Sequence, residues 1–444
     1  MSVYPSAPRV ANAHLFRAGG RPMLLSVSRG QIFELDEMLA DDVDRAMQYG
    51  DEDRVRRFLG ASGIFETPVS GVPPTSVPLR GISLAIAQKC NLGCTYCYAQ
   101  QGTFGGVAST MPLDVARSAI DRLFDDAAPG ETVSVTFLGG EPLTAREFLR
   151  AATEYAAGKA RAAGANAAFA LTTNATLLTD ADAEFFERYA FAVTVSVDGI
   201  GETHDRQRPF KSGAGSYARV IDGANLLLRR SPRRSRITAR VTVTPRNLRL
   251  RETLDELTRL GFDGVLFSPV LGSPTGEDQM SAGDFDSLLS QLIDCAEVFE
   301  ERLRRGEIHP FLNVINTLRR IHRQERDAYP CGAGGGYLGV SAKGRFYACH
   351  RFVDEELGVM GNVEDGVDPA KQQRWLADRN VHAQEPCRTC WARYLCSGGC
   401  HHEVIHRGRP ACDYIRGWLH HCLGVYARLL AERVPSLREV LDGA

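Results

Sequence analysis

Short apolar runs alternate with longer amphipathic stretches from Leu79 onward. The runs are rich in β-branched residues, which predicts strands over residues 81–87, 133–138, 169–174, 191–197, 237–244 and 264–270. Between them, segments such as PLDVARSAIDRLFDDA and AREFLRAATEYAAGKARAAG repeat apolar residues with the period of an α-helix. Strands that alternate with helices in this way favour a parallel sheet covered by helices, in either a barrel or a doubly wound topology.

The residues before this alternation predict a separate small module. Residues 14–36 contain apolar runs broken by GG and SRG, which indicates three strands joined by turns, and an acidic helical stretch follows to about Leu59. The Pro- and Ser-rich segment TPVSGVPPTSVP (67–78) is typical of a linker. We therefore divide the chain into an N-terminal α+β module with its linker (1–76), an α/β core (77–310) and a C-terminal region (311–444).

A long helical stretch over residues 281–306 leads into the C-terminal region. There YLGVSAKGRFYAC (337–349) predicts a hairpin that turns at Lys343 and Gly344. Beyond it we expect little regular secondary structure, because cysteine ligation would replace it.

Polar elements follow the first four predicted strands of the core. They are the cysteine motif CNLGCTYCYA, the segment GGEPL (139–143), Asn174, and the pair Ser196 and Asp198. The carboxyl ends of parallel strands meet at one edge of a sheet, and ligands bind there. The sequence therefore predicts one functional site at this edge.

Composition excludes several classes of protein. The net charge is −2 over 444 residues and no long run of Lys or Arg occurs, so we expect neither nucleic acid nor a membrane as a partner. The N-terminus lacks an apolar signal-peptide core and no apolar run is long enough to span a bilayer, so we expect a cytoplasmic protein. Thiols stay reduced in the cytoplasm, and we interpret most of the 12 cysteines as metal ligands.

The cysteines fall into groups that suggest their use. Three lie at 90–97 and eight lie after residue 330, which indicates one incomplete cluster and two complete ones. Cys295 stands alone in a predicted amphipathic helix, where we expect a small buried residue.

The spacing C-x3-C-x2-C formed by Cys90, Cys94 and Cys97 allows two interpretations. One is a zinc site with a fourth ligand elsewhere, and the other is an iron–sulfur cluster with one iron lacking a protein ligand. With Tyr96 before the last cysteine, the motif resembles that of the radical S-adenosylmethionine (SAM) enzymes. The resemblance implies a partial (β/α)6 barrel and a 4Fe–4S cluster whose open iron binds SAM, and reduction of the cluster would then release a 5′-deoxyadenosyl radical.

Further residues match the SAM-binding elements of that superfamily. Gly139, Gly140 and Glu141 resemble its GGE element, in which a carboxylate and a backbone carbonyl receive the methionine ammonium. The glycines would permit close backbone approach.

The stretch SVDGIGETHDRQR (196–208) resembles the segment in which a Ser and an Arg hold the methionine carboxylate. Here these are Ser196 and Arg208, a charge-assisted pairing suited to a buried carboxylate. By the same resemblance Asn174 contacts the ribose. Arg240 on the fifth strand either faces the same cavity or forms a structural ion pair.

The C-terminal cysteines resemble a SPASM domain, which binds two auxiliary 4Fe–4S clusters. The resemblance assigns one set to Cys331, Cys349 and Cys400, and a second set to Cys387, Cys390 and Cys396. Cys412 and Cys422 would complete the two sets in an order that the sequence leaves open. A zinc ribbon over Cys387–Cys400 is the alternative.

The resemblance implies a peptide or small-protein substrate, with an electron donor such as flavodoxin or ferredoxin. The stretch CRTCWARYLCSGGCHHEVIHRGRPACDYIRGWLHHC is most similar to thioether-forming maturases of the quinohemoprotein amine dehydrogenase type, which join Cys sulfur to Asp and Glu methylene carbons of the γ-subunit. Asp198 and Asp205 are candidates for the base, or residues that orient SAM-binding groups. The N-terminal module resembles an element that holds a peptide by strand addition, with a simple cap as the alternative.

Two other functions remain open. The first is an anaerobic sulfatase maturase, which makes formylglycine. That family carries an Asp after the second SPASM cysteine, where this chain has His350, and an extra Cys that CGAGGGYLGVSAKGRFYAC lacks. The second is a non-catalytic iron–sulfur scaffold or electron carrier, which would not need the GGE element or the Ser196 and Arg208 pair.

Overall fold

The computed structural model describes residues 12–65, 67, 69–104, 109–270, 272–273 and 276–443. The first 11 residues of the predicted N-terminal module and Pro68 of the predicted linker lie outside this part. The strands are β1 (Ala13–Ala18), β2 (Arg21–Ser26), β3 (Gln31–Glu34), β4 (Gly81–Ala87), β5 (Thr132–Gly139), β6 (Asn166–Thr173), β7 (Ala192–Ser196), β8 (Arg236–Val243), β9 (Gly264–Pro269), β10 (Tyr337–Val340), β11 (Arg345–Tyr347), β12 (Val359–Asn362) and β13 (Gly366–Val367).

The α-helices between and after these strands are α1 (Glu37–Gln48), α2 (Glu52–Ala61), α3 (Leu113–Phe124), α4 (Arg146–Ala163), α5 (Asp180–Arg188), α6 (Glu202–Gln207), α7 (Tyr217–Leu228), α8 (Leu250–Arg259), α9 (Ala282–Arg304), α10 (Leu312–His322), α11 (Pro369–Arg379), α12 (Arg393–Cys396), α13 (His401–Arg407), α14 (Cys412–Ala431) and α15 (Ser436–Asp442). Among the described residues, no helix is both long enough and apolar enough to cross a membrane.

The chain forms two compact units, of which one contains residues 74–280 and 332–376. Its ten-stranded sheet has the order β13-β12-β11-β10-β4-β5-β6-β7-β8-β9, and the run from β10 through β9 is parallel. The six parallel strands predicted from the sequence are thus confirmed as β4 to β9. The predicted hairpin is confirmed too, since β10 pairs antiparallel with β11.

Burial explains why these segments form strands. Alternate residues of β8 are buried against the covering helices, whereas Arg236, Thr238, Arg240 and Thr242 point to the other face and are at least partly exposed. Phe137 of β5 and Phe191 before β7 are fully buried and stack with ring centroids 6.1 Å apart. Each such side chain contributes about 2–3 kcal/mol when removed from water.

Within the described part of the chain, the other unit spans residues 12–73, 281–331 and 377–443. The antiparallel strands β1, β2 and β3 form a separate sheet, and α1 and α2 cover an apolar core that includes Leu24, Val43 and Val55. The predicted order of three strands followed by helices is therefore what the structure contains. Cys295 lies fully buried in α9, as expected.

Two features of this division differ from the sequence-based expectations. The structure groups the chain into two units that each combine distant segments, whereas the predicted ranges 1–76, 77–310 and 311–444 are consecutive, and that three-part division stays a prediction. Distant segments combine because β10 adds to the sheet beside β4, through pairs such as Tyr337 with Gly81. The expectation of little regular structure after the hairpin is wrong, because α14 alone spans 20 residues.

Candidate active site

The ends of β4 and β5 approach each other so closely that only glycine fits between them. The backbone N–H of Gly140 donates to Ala87 O at 2.7 Å, and that of Glu141 donates to Lys89 O at 2.9 Å. A Cβ added to Gly140 would lie 2.2 Å from Lys89 O, and one added to Gly139, where φ is +147°, would lie 2.3 Å from Ala87 O. The two glycines therefore bring the GGE segment against the loop that carries the cysteines.

Cys90, Cys94 and Cys97 converge at this edge of the sheet. Burial raises the pKa of Cys94 to about 12, and the thiols of Cys90 and Cys97 contribute in the same direction. Burial likewise raises the pKa of Cys90. The desolvated thiols of Cys90 and Cys94 are unstable as free thiolates, and binding a cationic metal centre relieves that cost.

The cysteine sulfurs of the described residues are not grouped as compactly as the ligands of a single zinc ion. Tetrahedral zinc with bonds of about 2.3 Å holds its sulfur ligands about 3.8 Å apart. Within the described part of the chain, no three cysteine sulfurs lie within 4.8 Å of one another. An iron–sulfur cube is larger, and its cysteine ligands bind at separate corners.

Glu141 and Asn174 connect the ends of β5 and β6. The buried carboxylate of Glu141 accepts hydrogen bonds from Leu143 N at 3.1 Å, Thr173 Oγ1 at 2.7 Å and Asn174 N at 2.7 Å. Burial raises the pKa of Glu141, whereas these donors lower it. The amide of Asn174 donates to Asn91 Oδ1 at 2.9 Å, so it ties β6 to the cysteine loop. The predicted ammonium and ribose contacts of these two residues stay predictions.

Arg208, Tyr96 and Asp198 form a buried polar group beside the cysteines. Arg208 Nη1 donates a hydrogen bond to the hydroxyl of Tyr96 and lies 3.4 Å from Asp198 Oδ2. The Tyr96 hydroxyl in turn donates to the same Asp198 oxygen. Burial opposes the charge of Arg208, but neighbouring Cys94 and Asp198 help to raise its pKa well above the usual value. Arg208 Nε is buried and has no hydrogen-bond partner among the described residues. A buried guanidinium nitrogen without an acceptor is what an anionic ligand would satisfy.

Backbone hydrogen bonds hold the cysteine loop against the segment that carries Arg208. Gly93 N donates to Pro209 O at 2.8 Å and Thr95 N donates to Gln207 O at 3.2 Å. Ser196, at the end of β7, pairs with Arg240 of β8, and within the described part of the chain its hydroxyl makes no hydrogen bond. These residues fit the cofactors that the sequence motif implies. The three thiols would bind an iron–sulfur cluster, and the Ser196 hydroxyl and the Arg208 guanidinium would bind the carboxylate of SAM.

The two candidate bases have structural partners. Asp198 is fully buried, and its Oδ1 accepts from Thr242 N at 2.7 Å. Asp205 Oδ1 accepts from the N–H groups of Ser216 and Tyr217, both at 2.7 Å, at the start of α7. These contacts favour an orienting role for both carboxylates, which was the alternative interpretation from the sequence.

His204 completes the support of Asp198. The Asp198 N–H donates to His204 Nδ1 at 3.1 Å, so Nε2 carries the proton and donates to Ser216 Oγ at 3.1 Å. Burial, with a smaller contribution from Arg208, lowers the pKa of His204 to about 3. The ring is therefore neutral at physiological pH.

Sequence reasoning singled out His350 but missed the residues that surround it on the same unit. The Arg351 guanidinium lies 5.1 Å from the ring centroid of Tyr98, and the His350 ring lies 6.1 Å from that ring. His350 Nδ1 is 3.0 Å from the Tyr337 hydroxyl. Tyr98 directly follows Cys97 and His350 directly follows Cys349, and these positions next to predicted ligands were the signal in the sequence that pointed to this set.

Four cysteines line one cavity in the other unit. They are Cys387, Cys390, Cys396 and Cys412, and Arg409 and Arg416 line it with them. Burial raises the pKa of Cys396 to about 12, and the other three thiols add to the effect. The position of Cys412 therefore supports the predicted second set of ligands with Cys412 as its fourth member, and the two guanidinium groups would offset the negative charge of a four-thiolate cluster.

Cys422 occupies a different environment in that unit. It is fully buried in α14, and its thiol makes a hydrogen bond with Thr317 of α10. This position favours a core residue over the cluster ligand predicted from the sequence. The first predicted set, Cys331, Cys349 and Cys400, includes residues of both units and stays a prediction.

Comparison with known proteins agrees with this geometry. Residues 84–257 match the family model of the radical SAM superfamily. The chain is 33% identical over 384 residues to a serine-type anaerobic sulfatase-maturating enzyme of Bacteroides thetaiotaomicron, covering 80% of this chain and 89% of that one. It is 23% identical over 349 residues to the cysteine-type enzyme of Clostridium novyi, covering 72% and 88%.

A solved structure, native anSMEcpe with bound AdoMet, superposes with a TM-score of 0.66 at 20% identity and covers 80% of this chain and 99% of that one. The same protein has also been solved with AdoMet and the Cp18Cys peptide. This likeness confirms the predicted fold class. The site and the fold together define a radical SAM protein. Within that superfamily, the chain belongs to the family that includes the anaerobic sulfatase-maturating enzymes.

Proposed function

We propose that this protein is a radical SAM maturase that oxidises a side-chain methylene in a peptide or small protein. The observation that carries the proposal is the convergence of Cys90, Cys94 and Cys97 beside the unpartnered Nε of Arg208. When bound, the cluster and SAM supply a radical that removes a hydrogen atom, and auxiliary clusters accept the electron that remains on the substrate.

In this proposal the chain itself positions SAM. Arg208 and Ser196 hold its carboxylate, and Tyr96 and Asp198 keep the guanidinium in place through their hydrogen bonds. Glu141 lies at the end of β5, where the family places the methionine ammonium. The buried surroundings of these groups exclude water and strengthen each charge interaction.

Two products are compatible with this chemistry, and different observations favour them. The names of the relatives, serine-type and cysteine-type sulfatase-maturating enzymes, favour formylglycine. The residues at the site favour a thioether between Cys sulfur and an Asp or Glu carbon, since His350 stands where that family has Asp and an extra Cys is missing. The comparisons give the formylglycine product the stronger support, and the thioether is the proposal that rests on this chain's own residues.

The first experiment tests the radical SAM activity itself. The protein is reconstituted anaerobically with iron and sulfide and mixed with SAM and a strong reductant, and 5′-deoxyadenosine is measured. The Cys94→Ala variant should form none, whereas the Cys295→Ala variant, altered in the core of α9, should form as much as the wild type. A scaffold or electron carrier would form none in any variant.

The second experiment separates the two products by mass. One substrate is a peptide with the Cys form of a sulfatase modification site, because formylglycine made from Ser would also appear as the loss of two hydrogens. The other substrate is a short Cys- and Asp/Glu-rich protein encoded beside the gene. A thioether appears as the loss of two hydrogens without loss of sulfur. Formylglycine from Cys appears as the exchange of sulfur for oxygen. A mass change on neither substrate would count against a maturase of either kind.

A further inference from the structure

The guanidinium of Arg409 bridges two sides of the cavity that the four C-terminal cysteines line. Its Nε donates a hydrogen bond to Glu385 O at 3.1 Å, and its Nη1 donates to Gly398 O at 2.7 Å. Its Nη2 donates to the side-chain oxygen of Gln384, which is buried. Each guanidinium nitrogen therefore has an acceptor, and together the three contacts fix the position of the group.

These contacts join the three chain segments that carry the cysteines. The first segment lies directly before Cys387, and the second lies directly after Cys396. The third begins at Cys412, whose N–H donates to Arg409 O at 3.5 Å where α14 starts. A single residue thus connects all the segments that must converge if the four thiols are to bind one metal centre.

The positive charge of Arg409 lacks a carboxylate partner within the described part of the chain. Its acceptors are two backbone carbonyl groups and one side-chain amide, which are neutral. Arg416, the other arginine named above at this cavity, forms an ion pair with Asp413. Arg409 therefore brings an uncompensated positive charge to a cavity lined by thiols, and a negatively charged occupant would stabilise it.

We propose that Arg409 positions the four cysteines for a 4Fe–4S cluster and makes that cluster easier to reduce. A cluster held by four thiolates carries a net negative charge that grows when an electron enters it, and nearby charges and hydrogen bonds set its reduction potential. A fixed positive charge beside the thiolates favours the reduced form.

This inference rests on the proposed function, in which an auxiliary cluster takes up the electron that remains on the substrate. The cluster gains one electron in that step, and the accompanying proton leaves the substrate for solvent. Arg409 itself reacts with nothing. It acts through the cysteines, so the inference is tested by the properties of the cluster and not by product formation.

The test measures iron retention and a midpoint potential in anaerobically reconstituted protein. The Cys412→Ala variant identifies the cluster, because the electron paramagnetic resonance signal that this variant lacks belongs to it. Arg409→Gln removes the charge, whereas Arg409→Lys keeps the charge and loses the fork of three donors. Arg388→Gln is the matched control, since Arg388 directly follows Cys387 but pairs with Glu385 at 2.6 Å in an exposed ion pair.

Arg409→Gln should make reduction of this cluster about tenfold less favourable, which lowers its midpoint potential by about 59 mV. Arg409→Lys should keep the wild-type potential. Both variants should release about four irons per chain to a chelator faster than the wild type does, and Arg388→Gln should match the wild type in both measurements.

Wild-type potential and iron retention in Arg409→Gln overturn the inference. An equal fall in potential in Arg409→Lys also overturns it, because the charge would then have no effect. Failure of Arg409→Gln to take up these four irons supports the positioning role, and the potential of Arg409→Lys then tests the charge. If Arg409→Gln loses all its iron, it has not kept the fold, and Arg409→Lys decides by the same two measurements.

The two proposals fail in different ways. If the wild type with full iron content forms no 5′-deoxyadenosine, the proposed function is wrong, whatever the Arg409 variants do. If the wild type forms it while Arg409→Gln leaves the potential and the iron retention unchanged, the inference about Arg409 alone is wrong.

Discussion

Replacing Gly140 by Ala should displace the cysteine loop and empty the SAM-binding site. The new Cβ would lie 2.2 Å from Lys89 O, 2.5 Å from Lys89 C and 2.9 Å from Cys90 N. All three are backbone atoms, so no side chain can turn away. Ordinary contact begins at 3.4 Å, and the loop must therefore move by about 1 Å.

The cost of this change follows from the contacts that hold the loop. Overpacking of this kind costs about 1–3 kcal/mol. The hydrogen bond from Glu141 N to Lys89 O, 2.9 Å long, would be strained or lost, which adds about 1 kcal/mol. We expect the sheet-bearing unit to lose about 2–4 kcal/mol in its free energy of unfolding. We also expect the thiol of Cys90 to move away from its position beside Cys94 and Cys97.

Three measurements on anaerobically reconstituted protein test this reasoning. The Gly140→Ala variant should lose about a third of its iron if three 4Fe–4S clusters are present. It should also lose the change in the electron paramagnetic resonance spectrum on SAM addition, and it should unfold at lower urea concentration. Gly158→Ala is the control, because that Cβ meets only Arg161 Nη2 at 3.9 Å and Ala favours the helix. Full iron and a normal SAM response in Gly140→Ala would refute the argument.

Three further substitutions probe other parts of the site. Cys412→Ala should lose about four irons per chain, whereas Cys422→Ala should keep them, and equal losses in iron analysis would contradict the distinction. His204 has a pKa lowered to about 3. Its stabilising contribution is therefore complete above pH ~6.5, the unfolded value, and is lost as the pH falls towards 3, at about 1.4 kcal/mol per pH unit. His204→Gln should flatten the loss of stability between pH 6.5 and 5 in urea unfolding by about 2 kcal/mol, and parallel curves would refute this. Asp205→Asn keeps the oxygen that caps α7 and should retain product formation, whereas a catalytic base at this position would make the variant inactive.

The sequence predicts the parts of this protein that local pattern determines. The six parallel strands repeat apolar residues with a short period, and their order along the chain is also their order in the sheet. The hairpin at Gly344, where φ is +77°, needed only a turn residue to be recognised. The position of this hairpin in the sheet could not be predicted from the sequence. Tyr337 pairs with Gly81, which is far away in the chain, and no local sequence pattern indicates such a pairing.

The same distinction between local pattern and long-range contact applies to the candidate site. Cys90, Cys94 and Cys97 are predictable because a metal centre demands ligands at fixed short spacing. The contact between Arg208 and Tyr96 is not, since it depends on how the loop after β7 folds back against the cysteine loop. Asp198 illustrates the difference, because the sequence alone suggests a base for a carboxylate near a site, while the contacts of Asp198 with Thr242 and Arg208 favour an orienting role.

The choice between the two products depends on which charge faces the substrate. A maturase that oxidises Cys or Ser needs a base near the reacting carbon, whereas one that attacks beside a carboxylate must first hold that carboxylate. In this chain the residue after Cys349 is His350, which contacts Tyr337, and the next residue is a guanidinium with a buried, unsatisfied nitrogen. A buried guanidinium nitrogen without an acceptor is costly unless a ligand supplies one. An acidic group of a substrate would supply such an acceptor, whereas the neutral side chain of a Cys or Ser would not.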